Sequence, residues 1–181
     1  YKVSDIEGYP LAWDKRDMEV ALDSWMPHQV GKWFTVGDWK CRLHPAGHIP
    51  GAAMIEIKTP QATILWTGDL DTRNSPNAPQ AVPVDCDILC MEGTYGGRTH
   101  PNREEEEGRF VSRVLEVVSR GGTALVPAFA SGRGQDILRI LHKEAPGLDV
   151  HYDGMGTRVT REWLGCPEFI SCLLYTSPSP R

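Results

Sequence analysis

The chain has 181 residues, 40% of them hydrophobic, with 18 Gly and 14 Pro, enough for one substantial domain with its own core and too little Gly and Pro for a low-complexity polymer. Lys and Arg number 19 against 24 Asp and Glu, a net charge of −5, which argues against a protein that wraps nucleic acid with its whole surface but leaves room for a local basic patch. No apolar run approaches a membrane span, and the first residues lack the basic flank and apolar centre of a secretory leader, so the expected location is the cytoplasm, with no membrane partner.

In chain order, Asp14 to Trp25 spaces Met18, Ala21, Leu22 and Trp25 as one face of a short amphipathic helix, whose expected role is ordinary packing. WFTVGDWKCRL then reads as two strands around a tight Gly37-Asp38 turn. AAMIEIK and ATILWTG are two further short strands, and Asp85 to Met91 is expected to be a buried one. From Pro101 to Arg120 the pattern changes to a helix, with Phe110, Val111, Val114, Val117 and Val118 on one side and Glu104 to Glu107 near its positive end. Those four glutamates suit a solvated helix start better than a cation site, which draws its carboxylates from several segments. Gly121 and Gly122 stop that helix. TALVPAFA is expected to be a strand, Gly132 to Glu144 a helix carrying Ile137, Leu138, Ile140 and Leu141, and LDVHYD a second strand, together a right-handed βαβ unit with a parallel pair. The five cysteines, at 41, 86, 90, 166 and 172, have no paired spacing and read as buried thiols.

Four segments hold chemistry. In HPAGHIPGAA, Gly47 and Gly51 let the backbone bend on either side of His48; in LWTGDLD, a strand ends at Gly68 and presents Asp69. Imidazole and carboxylate are zinc ligands, but two are too few for a closed shell, and each residue alone is an ordinary surface histidine or turn former. Glu92 follows the Asp85–Met91 run and is suited to orienting a histidine for general acid work, against the plainer role of a capping or ion-paired glutamate. PAFASGRGQ is a strand, a turn and a helix start, where backbone N–H groups attract anions and Arg133 adds a fork donor. It is not a P-loop, since no Lys then Ser or Thr follows the last Gly.

In combination and order these segments resemble the metallo-β-lactamase superfamily and, within it, the β-CASP nucleases, over roughly residues 14 to 165. AGHIPGAAMIEI is similar to the third metal-binding motif of that fold and TGDLD to the fourth. EGTYGGRTHPNREEEEGRF is similar to the acidic motif that opens the β-CASP insertion, and VPAFASGRGQDIL to the strand and helix that follow it. The resemblance implies an α/β fold: part of an αββα sandwich over residues 1–97, then part of an inserted α/β β-CASP domain over residues 98–170. It implies two zinc ions, with His48 a ligand of one and Asp69 a bridge between both, and it gives Asp69 and Glu92 catalytic roles. Ser131 and Arg133 become candidate RNA-phosphate contacts. Glu at position 92, where the DNA-repair branch usually carries Asp, points to RNA as substrate. The implied activity is hydrolysis of RNA phosphodiester bonds, by 3′-end cleavage or 5′ exonuclease action, as a homodimer or in a processing complex; the nearest resemblance is to archaeal relatives of the endonuclease that processes mRNA 3′ ends.

The departures are the missing H-x-H-x-D-H signature and the missing later histidine motifs. Residue 1 is Tyr, and from about Ser171 the chain turns abruptly to Ser and Pro. The expectation is therefore a piece of a longer protein with a non-native tail over 171–181, inactive by itself. Two rivals stand beside it: a catalytically silent scaffold subunit of a processing complex, and a small-molecule hydrolase of the same superfamily, whose core would share His48 and Asp69 but which is disfavoured because such enzymes lack the Glu92 motif and the βαβ insertion.

Overall fold

The computed structural model describes residues 13–73, 75 and 77–166. The expected tail over 171–181 and the Tyr1 start lie outside the described residues, as does Cys172. The order of elements is α1 (Lys15–Asp23), β1 (Trp33–Val36), β2 (Trp39–Pro45), β3 (Ala53–Lys58), β4 (Thr63–Trp66), β5 (Ile88–Cys90), α2 (Arg103–Ser119), α3 (Arg133–Glu144) and α4 (Met155–Leu164). No described helix is long and apolar enough to cross a membrane.

The five strands form one sheet in sequence order, antiparallel from β1 to β4 and parallel between β4 and β5. Local chemistry accounts for the antiparallel part. The β1–β2 loop has two residues and a positive φ at Gly37 alone, the sign pattern of a II′ turn, whose twist matches that of the strands it joins. Between β3 and β4, the Thr59 hydroxyl accepts the Gln61 and Ala62 N–H groups and donates to the Ala62 carbonyl, closing a four-residue loop.

The two faces of the sheet differ. On one, Met54 and Leu65 pack with Ala46 and Ala81, and Ala52, Leu70, Val84 and Cys86 close round them, so the long β4–β5 connection folds back as a cover. The same face buries Glu56, whose carboxylate accepts Arg42 Nε and Nη2 at 3.0 and 2.7 Å and meets His44 Nε2 at 2.8 Å. Burial raises the Glu56 pKa, but hydrogen bonds from Arg42 and His44 outweigh it and hold the group below its ordinary value. The opposite face carries Ile55, Ile57 and Ile64 half-buried, Trp66 and Ile88 exposed, and beside Ile57 the enclosed Cys41.

That asymmetry corrects two sequence expectations. β5 forms where expected, but Ile88 and Leu89 are exposed, because the strand is an edge and no described residue covers it. Helix α1 forms with an Asp14–Asp17 capping box, yet it buries nothing: Met18, Leu22 and Trp25 are all exposed. The thiols are not uniformly buried either, since Cys41 is enclosed, Cys86 and Cys90 are half-buried and Cys166 is exposed; all four are free.

In the second half, α2 starts at an Asn102 cap whose side chain accepts the Glu104 and Glu105 N–H groups. Val111 and Val114 of α2 pack on Ile140 and Leu141 of α3, with Phe110, Ala124, Val126, Ile137, Ala145 and Leu148 around them. Glu104 and Glu105 face solvent as expected, while Glu107 is drawn in by Arg103 and Arg139. The expected βαβ unit is not found. Neither TALVPAFA nor LDVHYD is a strand, and no ladder joins them. The first run keeps strand-like alternation, with Ala124 and Val126 turned into the helical core and Leu125 turned fully outward, so it has a half-buried face but no pairing partner among the described residues. Helix α4 was not anticipated from the sequence. Tyr152 sits between α3 and α4, its hydroxyl so close to Gly134 of one and Gly156 of the other that a Cβ on either would clash with it.

Candidate active site

The site is assembled where β2, β4 and β5 end on one rim of the sheet. After Pro45 the chain enters a bend pinned by backbone bonds: Ala46 N–H to the Ala52 carbonyl at 2.9 Å, and Asp71 N–H to the Ala46 carbonyl at 2.8 Å. Gly47 has φ +78° and bridges to Leu70; a Cβ there would lie 2.0 Å from the Asp71 carbonyl oxygen. Only glycine lets these two loops approach so closely. His48 follows directly and projects from the rim.

β4 ends at Trp66 and turns out through Gly68, at φ +54°, to Asp69. The His48 Nε2 and Asp69 Oδ2 atoms are 3.9 Å apart, within ion-pair range and too long for a direct hydrogen bond. Both side chains are open to solvent, His48 about half and Asp69 more. β5 delivers Glu92 to the same rim. Its Oε1 accepts the Leu70 N–H at 3.0 Å and its Oε2 the Thr94 N–H at 3.3 Å, while its own N–H donates to the buried Thr67 hydroxyl. Hydrogen bonds from Thr94, then from Leu70, hold the Glu92 carboxyl below its ordinary pKa, with His48 adding to the pull.

The structure thus brings His48, Asp69 and Glu92 together from three segments. It also gives Glu92 a task that sequence reasoning missed, since its carboxylate is held by backbone N–H groups and ties down the residue after Asp69. Asp71 lies beside them, gripped by the Arg73 fork; burial raises its pKa, and the Arg73 hydrogen bonds outweigh that and lower it.

Ser131 and Arg133 lie at the start of α3. Arg133 is exposed, 3.8 Å from Asp136, and Gly132 caps the helix at φ +88°. The Gly132 N–H is taken by the Gln135 side chain at 2.8 Å, so this donor is not available to an anion. A Cβ on Gly132 would lie 3.2 Å from Ile49 Cγ2, so the turn rests against the residue that follows His48. The structure therefore sets the α3 turn next to the His48 loop, a proximity with no local signal in the sequence. Two buried residues that fix this arrangement, Asn77 and Asp136, were also missed.

The donor types at the rim fit zinc, and their number falls short: among the described residues no group of three or more His, Cys, Asp or Glu side chains is arranged to hold a metal ion.

No family model matches the chain. It is 34% identical over 169 residues to RNase aCSPSF2 of Saccharolobus solfataricus, a match covering 92% of this chain and 34% of that protein. It is 35% identical over 165 residues to the probable RNase MJ4 of Methanocaldococcus jannaschii, covering 88% of this chain and 39% of that one. Against cleavage and polyadenylation specificity factor 73 of Drosophila melanogaster it is 34% identical over 142 residues, covering 77% of this chain and 21% of the relative. These relatives are ribonucleases of the metallo-β-lactamase superfamily, and the mixed α/β fold of this chain fits that class. Within it the chain is homologous, over most of its own length, to the β-CASP group. The chain spans about a third of the length of the two archaeal relatives it matches.

Proposed function

We propose that the protein carrying this chain is a metal-dependent ribonuclease that hydrolyses RNA phosphodiester bonds. The observation that supports this most directly is the meeting of His48, Asp69 and Glu92 on one rim, in a chain whose relatives are named as RNases. His48 and Asp69 would hold zinc, two ions in the full site, with further ligands from outside the described residues. Bound metal ions would activate water and neutralise the leaving oxygen of a phosphodiester. The chain's own residues do the positioning. Glu92 holds the Asp69 loop through Leu70 and would orient the proton-donating imidazole. Ser131 and Arg133 would meet RNA phosphates beside the His48 loop, with Arg133 as the fork donor.

The same reading divides the chain into a metallo-β-lactamase segment over 1–97 and β-CASP sequence over 98–170. The half-buried Ile55, Ile57 and Ile64 and the exposed Trp66 form the sheet face that the second sheet of an αββα sandwich would bury. RNA is the substrate, a homodimer or a processing complex the assembly, and the cytoplasm the location.

The test uses the full-length protein and a labelled single-stranded RNA. Cleavage that is abolished by a chelator and restored by zinc is expected. His48→Ala and Asp69→Ala should each lower the rate by more than the roughly 10–100-fold typical of losing an outer-shell partner. Zinc-loaded wild-type protein that leaves RNA intact, or an Asp69→Ala variant as fast as wild type, would overturn the reading.

A further inference from the structure

Beneath the rim, three segments far apart in the chain meet at one buried carboxylate. Asp136, in the first turns of α3, accepts the Asn77 side-chain N–H at 2.8 Å on Oδ1 and Arg103 Nη2 at 3.0 Å on Oδ2, with Arg133 Nη1 3.8 Å away. Asn77 and Asp136 are 59 residues apart, and each is almost wholly buried, at 5% and 6% exposure. The same Asn77 amide also donates to the Gly132 carbonyl at 3.3 Å, so one side chain grips both the helix cap and its carboxylate. Gly132 in turn rests on Ile49, next to His48.

Buried polar pairs of this kind are weak sources of net stability, and an apolar pair of equal volume would often do better. What they supply is direction: a donor and an acceptor at fixed distance permit one relative placement of the elements that bear them, and a misplaced one leaves a buried group unpaired. Here the elements are the loop leading away from Asp69 and the helix start bearing Arg133.

We propose that Asn77 and Asp136 form a clasp that sets the spacing between the His48–Asp69 rim and the Arg133 turn, so that both are positioning residues for the bound RNA strand. The inference rests on the ribonuclease reading above and adds to it how the strand is held in register. A substrate long enough to touch both the rim and the turn feels the clasp; one confined to the rim does not.

The experiment compares two substrates in the full-length protein: an oligoribonucleotide, and bis-p-nitrophenyl phosphate, a phosphodiester too short to reach the turn. Asn77→Ala should raise KM for RNA about 5- to 10-fold with kcat nearly unchanged, and lower the salt dependence of binding by about one phosphate contact. Turnover of the small diester should stay at the wild-type level. Asp136→Asn, which keeps the volume but weakens the acceptor for Asn77 and removes the charge that Arg103 grips, should show the same split. An unchanged KM in Asn77→Ala overturns the clasp while leaving the nuclease reading intact. Equal losses on both substrates also overturn it, since they reflect loosened structure alone. Wild-type protein that cleaves neither substrate overturns the nuclease reading and the clasp with it.

Discussion

Residues 33–66 and residues 123–153 carry the same kind of strand-like sequence and end differently. In the first region each run is joined to the next by a short loop, and four strands pair in register. In the second, TALVPAFA and LDVHYD are separated by a helix and stay unpaired, although Ala124 and Val126 already face the α2–α3 core. The contrast separates two requirements of a strand. Alternation needs only the chain's own sequence, whereas a ladder needs a neighbour, and these hairpins bring one within two to seven residues.

The largest expected effect breaks the ordered region. Gly47→Ala places a Cβ 2.0 Å from the Asp71 carbonyl oxygen at a positive φ, and should cost about 3 kcal/mol or more in denaturant unfolding. Gly51→Ala has the same sign of φ and open space around it, so only the backbone term of about 1 kcal/mol should appear. Equal costs at the two glycines would mean that the close approach at Gly47 does not matter.

Next in size is the core of the second region. Leu141→Ala removes a buried side chain from the α2–α3 contact and should destabilise by about 2–3 kcal/mol, read from the midpoint of urea unfolding. A near-zero change would show that the helices do not depend on each other.

Glu56 sharpens the comparison through pH. Its folded pKa lies below its ordinary value of 4.5, so its contribution is fully present above that value and is lost as the pH falls through the lowered one. Glu56→Gln should cost about 1–2 kcal/mol near neutrality and remove part of the acid sensitivity below pH 4.5, followed by thermal melts across the acid range. An identical acid profile in the variant would assign that sensitivity elsewhere.

The smallest effect is the most discriminating for the unpaired run. Leu125 is 93% exposed, so Leu125→Ser should change stability by no more than about 0.5 kcal/mol, while Val126→Ser, one residue along and turned inward, should cost clearly more. Reversal of that order would place a partner over Leu125.

Much of the candidate site's backbone geometry was legible for the same reason as the hairpins. Gly47, Gly51 and Gly68 announced bends at strand ends, and all three adopt positive φ. His48, Asp69 and Glu92 each stood at such an end. What no local pattern carried was the Asn77–Asp136 pair, because polar side chains 59 residues apart leave no periodic trace. Gln135 was partly readable, three residues after a glycine cap, but not its buried bonds to Ala130 and Thr160.

The sequence by itself determined the four antiparallel strands, the cap of α1, helices α2 and α3 and the glycine bends, since each depends on residues within one turn or one hairpin of each other. Tertiary structure alone decided that β5 is an exposed edge, that TALVPAFA finds no partner among the described residues, that Glu92 clamps the Asp69 loop and that the α3 turn rests on Ile49. Those outcomes turn on which distant surfaces meet, and burial and hydrogen bonding between remote segments are set by the packed whole.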